Sequence, residues 1–225
     1  MNSQPGNKLT TKVGAIVLAA GSSKRFNGDK RRSILDSGKS LLETSIENAA
    51  SHFTQTLVVL RSGDSDYARE LNNKLENKLA DSGISYFCAP DSALGMAHSL
   101  GNAISTLKQW QAAAIFLGDM PYLEPETIQT LLTTYEKNGK SQPIVVPVMV
   151  GNSEFKSSDI KKPDTKNPEK SKYGHPVIFD QVYFAAIASL EGDVGARAVI
   201  NANRDRVIEV VLDDSGVIRD IDRKF

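Results

Sequence analysis

The first segment that suggests chemistry lies where an apolar run near the start of the chain ends. The run covers residues 13–19 and is followed by a glycine, two hydroxyls and two cations, Gly21-Ser22-Ser23-Lys24-Arg25, with a third cation, Lys30, further on. A strand that ends in this way presents backbone N–H groups and positive charge to an anion, most often a phosphate group. The segment therefore predicts a phosphate-binding loop.

The second segment is a carboxylate after a buried run. Asp119 follows the apolar residues 113–117, and Pro121 interrupts the chain soon afterwards. A carboxylate at the edge of a sheet is a ligand that Mg²⁺ takes together with phosphate oxygens. The alternative is that Asp119 caps the next helix, but Glu124 before Pro125 is the more obvious start of that helix. We therefore favour the metal role.

Further polar residues stand at later strand ends and helix starts. Asp91 follows the third apolar run and suits either a hydrogen bond from a base or ribose or a simple turn. Gly95 allows close approach of the backbone at the start of a helix that also carries Ser99. His175 is a candidate for substrate contact. Arg197 suits an anionic substrate or an ion pair with the aspartate four residues before it.

The apolar pattern predicts the elements that must position these residues. Strands are predicted at residues 13–19, 56–60, 84–88, 113–117, 144–149, 176–179, 207–212 and 217–221. Between several of them, apolar residues recur with the period of one helical face. Strands rich in Val, Ile and Ala that alternate with helices predict an α/β fold, a three-layer α/β/α domain with a mostly parallel, Rossmann-like sheet. Ligands of such sheets lie beyond the carboxyl ends of the strands.

Composition limits the partners and the compartment. Lys plus Arg and Asp plus Glu number 27 each, so no overall field favours nucleic acid or an anionic membrane. The one cysteine, Cys88, excludes an internal disulfide and suits the cytoplasm. No run approaches the roughly 20 apolar residues of a membrane span.

We expect one domain over residues 13–222, a disordered tail at 1–12, and a polar surface loop or lid at 151–172.

Two common nucleotide-binding patterns are absent from the sequence. The first strand end has one glycine, Gly21, where a dinucleotide-binding loop has three. The segment that ends in Lys39-Ser40 has Ser33 where the leading glycine of a phosphate-binding loop of hydrolytic NTPases belongs. A dehydrogenase and a hydrolytic NTPase are therefore disfavoured.

In their order along the chain, these motifs resemble the nucleotidyltransferases of molybdenum-cofactor biosynthesis. The matching segments are Leu18-Ala-Ala-Gly-Ser-Ser-Lys-Arg25, Lys30, Leu94-Gly-Met-Ala-His-Ser-Leu100, Leu117-Gly-Asp-Met-Pro121, Gly174-His-Pro-Val-Ile-Phe179, Gly192-Asp-Val-Gly-Ala-Arg197 and Asp220-Ile-Asp222. The first and fourth mark a broad superfamily, with the fold of nucleotide-diphospho-sugar transferases. The fifth and sixth, and Ala19-Ala20, resemble the molybdenum cofactor cytidylyltransferase branch. Arg31-Arg32-Ser33 departs from the family, which has an apolar run there.

The resemblance implies a site. Nucleotide contacts are expected from Leu18, Ala19, Ala20, Gly21, Ser22, Ser23, Asp91, Gly95 and Ser99. The catalytic cations are expected to be Lys30 and Arg25. The ligands of Mg²⁺ are expected to be Asp119 and Asp222. The acceptor contacts are expected to be His175 and Arg197.

The resemblance also implies a reaction and its partners. The expected activity is transfer of CMP from CTP to the terminal phosphate of molybdenum-bearing molybdopterin, with release of pyrophosphate and with Mg²⁺ as cofactor. A molybdoenzyme would receive the product. Two alternatives stay open: a related transferase that uses GTP or a sugar-phosphate acceptor, and a non-catalytic protein that binds the molybdenum cofactor and inserts it into its target.

Overall fold

A computed structural model describes residues 13–21, 26, 28–76, 78–79, 83–149, 173–192 and 195–221. Its strands are β1 Val13–Leu18, β2 Thr56–Arg61, β3 Ile84–Ala89, β4 Ala112–Leu117, β5 Ile144–Met149, β6 Val177–Asp180 and β7 Val207–Leu212. Its helices are α1 Leu41–Ala50, α2 Ser65–Leu75, α3 Met96–Ile104, α4 Pro125–Asn138, α5 Phe184–Ala188 and α6 Arg197–Ala202. No helix in this described part of the chain has the length and apolar character needed to cross a membrane.

The strands form one sheet in the order β3-β2-β1-β4-β6-β5-β7. The strand β6 runs antiparallel to both of its neighbours, and the other paired strands run parallel. Parallel neighbours need crossover connections, which the intervening helices supply. The predicted α/β class with a mostly parallel sheet is therefore confirmed.

Two apolar cores lie on opposite faces of this sheet. Alternate residues of β1 point to opposite faces, and Val17 belongs to one core while Ile16 belongs to the other. The core that contains Val17 includes side chains of α1, α2 and α4. The other core includes side chains of α3, α5 and α6. The domain therefore has three layers, as predicted.

Two local predictions differ from the structure. The strand predicted at residues 217–221 is wrong, because the chain makes a 3₁₀ turn at Ser215–Val217. The Asp214 carboxylate accepts the backbone N–H of Gly216 at 2.7 Å, which closes that turn. Sequence reasoning also missed α2, although Tyr67, Leu71 and Leu75 recur every four residues and are all buried. The predicted tail at 1–12 and the loop or lid at 151–172 lie outside the described residues.

Candidate active site

The site begins where two neighbouring central strands end. Leu18 of β1 pairs with Leu117 of β4, so the loops that follow these strands start side by side. The backbone N–H of Gly118 donates to the carbonyl oxygen of Leu18 at 2.8 Å. A side chain at Gly118 would lie only 2.9 Å from Cβ of Ala19, so glycine is required for this close approach. The described lining of the resulting pocket is Leu18, Ala19, Ala20, Gly21, Lys30, Arg31, Leu41, Met96, Ser99, Leu117, Gly118 and Asp119.

Lys30 and Asp119 meet in this pocket. Lys30 Nζ donates to Asp119 Oδ2 at 3.0 Å. Lys30 lies in a 3₁₀ turn, Lys30–Arg32, whose preceding residue Asp29 accepts the backbone N–H of Arg31. Although it carries a charge, Lys30 is only 7% exposed. The structure thus brings together the cation and the carboxylate that the sequence predicted separately, and Asp119 does not cap α4, which starts at Pro125 after Glu124.

The other carboxylate oxygen of Asp119 has the properties of a metal ligand. Asp119 Oδ1 is buried and has no hydrogen-bond partner in the described part of the chain. A buried oxygen without a partner costs free energy, which a bound cation would offset. The described residues contain no group of three or more His, Cys, Asp or Glu side chains suited to a metal. One carboxylate beside the predicted phosphate-binding loop nevertheless fits Mg²⁺, which takes most of its ligands from water and phosphate.

The chain also returns to Asp119 at its far end. The backbone N–H of Ile221 donates to the carbonyl oxygen of Asp119 at 3.2 Å. Asp222, the second predicted metal ligand, is the next residue in the sequence and lies outside the described residues. So do Ser22, Ser23 and Arg25, the predicted triphosphate contacts. The role of these four residues stays a prediction.

The third strand end is linked to the helix α3, which contributes to the pocket. Asp91 and Asn102 of α3 form two hydrogen bonds, one from the Asn102 amide to Asp91 Oδ2 and one from the Asp91 N–H to Asn102 Oδ1. Ser99 lines the pocket, and its hydroxyl donates to the carbonyl oxygen of Gly95 at 3.2 Å. Gly95 has a φ of 128°, a conformation that favours glycine. Asp91, Gly95, His175 and Arg197 are not part of the described lining.

The helix α3 joins two motifs that are far apart in the sequence. The backbone N–H of Gly192 donates to His98 Nε2 at 3.2 Å. The N–H of Ala97 donates to the carbonyl oxygen of Gly192 at 3.3 Å. The segment predicted to bind the acceptor is therefore hydrogen-bonded at Gly192 to α3, the helix that contributes Ser99 to the pocket. Arg197 begins α6 a few residues later.

His175 is held against β4 by a hydrogen bond and is neutral. Its Nδ1 lies 3.2 Å from the carbonyl oxygen of Ile115, which can only accept, so Nδ1 carries the proton. The His175 backbone N–H donates to Val217 O at 2.7 Å. Burial lowers the pKa of His175, and this effect outweighs the carbonyl of Ile115 and the negative charge of Asp119, which both act to raise it. His175 is therefore neutral at pH 7.

The lowered pKa of His175 predicts a pH dependence of stability. The unfolded chain takes up a proton on this histidine near its ordinary pKa of about 6.5, whereas the folded chain takes it up only at a lower pH. The unfolded state then binds more protons, so the free energy of unfolding falls as the pH drops below about 6.5. We expect the His175→Asn variant, whose amide also donates to a carbonyl, to show a smaller fall in denaturant titrations from about pH 7.5 to about 5.5. Equal pH slopes for the two proteins would contradict this assignment.

Sequence reasoning missed the role of the two arginines that follow Lys30. These arginines contact one face of α2 and the residue before it. Those contacts explain why arginines stand where the family has an apolar run. Arg31 forms an ion pair with Asp64, which precedes α2. Arg32 lies 3.9 Å over the ring of Tyr67 and pairs with Glu70 at 2.7 Å. The signal was present in the sequence, because Asp64, Tyr67 and Glu70 have the three-residue spacing of one helical face.

Comparison with known proteins gives a family and a fold. The profile described as "MobA-like NTP transferase domain" matches residues 15–207. The probable molybdenum cofactor guanylyltransferase of Natranaerobius thermophilus (strain ATCC BAA-1301 / DSM 18059 / JW/NM-WN-LF) is 30% identical over 147 residues, which cover 65% of this chain and 65% of that relative. This chain therefore spans about two thirds of the length of that curated relative.

Two solved structures share the fold. Rv0371c from Mycobacterium tuberculosis H37Rv has a TM-score of 0.66 and 21% identity, with 96% of this chain and 94% of that chain covered. The 4-diphosphocytidyl-2C-methyl-D-erythritol synthase from Anaerococcus prevotii DSM 20548 has a TM-score of 0.67 and 18% identity, with 94% and 93% covered. The predicted fold type is thereby confirmed.

Proposed function

Because this chain belongs to the MobA-like NTP transferase family, we propose that it transfers the cytidylyl group of CTP to the terminal phosphate of molybdenum-bearing molybdopterin and releases pyrophosphate. The observation that carries the proposal is the pair of Lys30 and Asp119 beside the loop of residues 18–21. A cation and a carboxylate with an unpaired oxygen are what phosphoryl transfer needs around its phosphates. We propose the cytoplasm as the compartment, as the single cysteine suggests.

The proposed reaction is a displacement at phosphorus. An oxygen of the acceptor's terminal phosphate forms a bond to the α-phosphorus of the nucleotide. The bond between that phosphorus and the oxygen that leads to the β-phosphate breaks, and pyrophosphate leaves with the electron pair. A phosphate monoester is largely ionised at pH 7, so no protein base has to remove a proton. Alignment and neutralisation of charge are then the protein's contributions.

The chain's own residues divide these contributions among them. Lys30, with Arg25, neutralises the negative charge that builds on the α-phosphate. Asp119 offers Oδ1 to a metal while Oδ2 holds Lys30 in place, and Asp222 is the proposed second ligand. Mg²⁺, when bound, supplies Lewis-acid stabilisation of the phosphate oxygens and of the leaving pyrophosphate.

The remaining contacts of the proposal concern binding. The pocket loop of residues 18–21 and Ser99 of α3 are proposed to contact the nucleoside, with Gly95 and Asp91 beside them. The amides of Ser22 and Ser23 are proposed to hold the triphosphate. His175 and Arg197 are proposed to face the acceptor, and the segment that leads to Arg197 is linked at Gly192 to α3.

Two observations favour different nucleotide donors, one CTP and the other GTP. Ala19-Ala20 favours CTP, because that pair resembles the cytidylyltransferase branch. The name of the curated relative, a probable guanylyltransferase, favours GTP. In the structure Ala20 is 6% exposed and its side chain belongs to the core on the α3 face. Both donors therefore have to be measured on the same preparation.

The test compares four reactions with purified protein and Mg²⁺. CTP or GTP is supplied with or without molybdenum-loaded molybdopterin, and pyrophosphate and nucleotide-linked product are quantified. We expect product and pyrophosphate only with CTP and acceptor together. Turnover with GTP instead would replace the donor and keep the reaction. Retention of the cofactor without pyrophosphate would overturn the proposal in favour of a binding and insertion protein.

A further inference from the structure

Arg31 makes an unusually complete set of hydrogen bonds for a buried side chain. It is 5% exposed. Its Nε and Nη2 donate to the two carboxylate oxygens of Asp29, at 2.9 and 2.7 Å. Its Nη1 and Nη2 donate to the two oxygens of Asp64, and Nη1 also donates to the carbonyl oxygen of Ala19 at 3.1 Å. A guanidinium has five N–H donors, so each has an acceptor.

Arg61, at the end of β2, also binds a carbonyl group of this loop. Its Nε and Nη2 donate to the carbonyl oxygen of Gly21. Its backbone N–H donates to Asp64 Oδ2 at 3.0 Å, and its Nη1 lies 3.9 Å from Asp29 Oδ2. The two aspartates therefore hold both arginines. We call Asp29, Arg31, Arg61 and Asp64 the loop clamp.

The clamp consists of charged groups in a fixed arrangement. Burial alone would raise the pKa values of Asp29 and Asp64, but the hydrogen bonds and charge of Arg31 outweigh it and lower both. Burial alone would lower the pKa of Arg31, and the two carboxylates outweigh it and raise it. Because displacing one member would leave a poorly solvated charge without its partner, the arrangement resists movement.

The clamp connects two parts of the pocket. Ala19 and Gly21 belong to the lining, and Lys30 shares a 3₁₀ turn with Arg31. The carbonyl of Ala19 faces Arg31, and in a planar trans peptide the N–H of the next residue, Ala20, then points the opposite way. The clamp therefore sets the orientation of loop peptide groups and their position relative to Lys30.

We propose that Arg31 and Arg61 are positioning residues for the nucleotide, which hold the carbonyl groups of Ala19 and Gly21 so that the loop has its binding geometry before the ligand arrives. A site arranged in advance loses less conformational entropy on binding. Arg31 itself lines the pocket, but each of its five N–H donors already has an acceptor, so it acts on the ligand through the loop. Arg61 acts in the same way, because its side chain donates to the carbonyl oxygen of Gly21. The inference rests on the proposed function in one respect, that the ligand is a nucleoside triphosphate.

The test separates binding from stability. Arg31→Lys keeps a positive charge between the two aspartates but has one nitrogen and no fork, so it cannot reproduce both carboxylate contacts and the contact to Ala19. Arg61→Lys also keeps the positive charge, but it replaces the two nitrogens that donate to the carbonyl oxygen of Gly21 with one. The Arg61 side chain is 29% exposed, so this substitution is less disruptive to folding. The dissociation constant of CTP with Mg²⁺ is measured by calorimetry, at a temperature where circular dichroism shows each variant folded. We expect it to rise at least about tenfold in each variant.

The matched control is Arg32→Lys. Arg32 belongs to the same turn, pairs with Glu70 and stacks on Tyr67, so its replacement perturbs the same helix without removing a contact to Ala19 or Gly21. We expect wild-type affinity for CTP. Equal weakening by this control, or wild-type affinity in both Arg31→Lys and Arg61→Lys, would overturn the inference alone. A wild-type protein that binds neither CTP nor GTP would overturn the proposed function and this inference with it.

Discussion

Replacement of Lys30 by methionine is expected to lower the rate of pyrophosphate release at saturating substrate by roughly 10²–10³-fold, the usual cost of removing one group that stabilises transition-state charge. Methionine keeps an unbranched side chain in the space that the buried lysine stem fills, since Lys30 is only 7% exposed. The change therefore removes the charge with little loss of packing. The rate is measured with CTP, Mg²⁺ and molybdenum-loaded molybdopterin.

Lys39→Met is the matched control for this experiment. Lys39 is also near the start of the domain and also forms an ion pair, with Glu47, but its side chain is 43% exposed and is not part of the pocket lining that the structure describes. We expect its rate to equal that of the wild type. Full turnover by Lys30→Met would remove Lys30 from the chemistry and leave the loop of residues 18–21 as a binding element.

Asp119→Asn is expected to abolish metal-dependent turnover, with a fall of roughly 10³-fold or more. Asparagine keeps the shape of the side chain, but it removes the negative charge that Lys30 Nζ contacts at 3.0 Å and makes a poor ligand for Mg²⁺. The rate is measured as a function of Mg²⁺ concentration. We expect residual activity that high Mg²⁺ does not restore.

The control for Asp119 is Asp205→Asn. The Asp205 side chain is 78% exposed and its described ion pair is with its neighbour Arg206, so the substitution removes one exposed carboxylate that does not belong to the described pocket lining. Its response to Mg²⁺ is expected to match the wild type. If Asp119→Asn keeps the wild-type dependence on Mg²⁺, the metal binds elsewhere and the role proposed for Asp119 is wrong.

The central part of the site was predictable from sequence because it depends on strand ends. Apolar runs that alternate with helical periods predict a parallel sheet, and a parallel sheet gathers its functional residues at one edge. Asp119 after β4 and the loop after β1 follow from that rule alone. Their direct contact, through the pairing of β1 with β4, required the strand order, which the sequence pattern does not contain.

The remaining features depend on contacts between distant segments. The direction of β6 and the pairing of Gly192 with His98 follow from tertiary packing, which no local pattern encodes. The clamp around Arg31 was missed because Asp64 is the residue that precedes α2, and α2 was overlooked in a polar stretch with only three buried apolar residues. The mistaken strand at residues 217–221 has the same origin, since Val217 is buried by core packing and not by a strand ladder.

The most direct test of the central claim is the stoichiometry of one turnover. Wild-type protein in excess is mixed with CTP, Mg²⁺ and molybdenum-loaded molybdopterin, and pyrophosphate and cytidylylated acceptor are counted in the same sample. We predict one pyrophosphate for each acceptor modified, and neither product from Lys30→Met or Asp119→Asn on the same time scale. Cofactor that stays bound and unmodified, with no pyrophosphate from the wild type, would contradict the account.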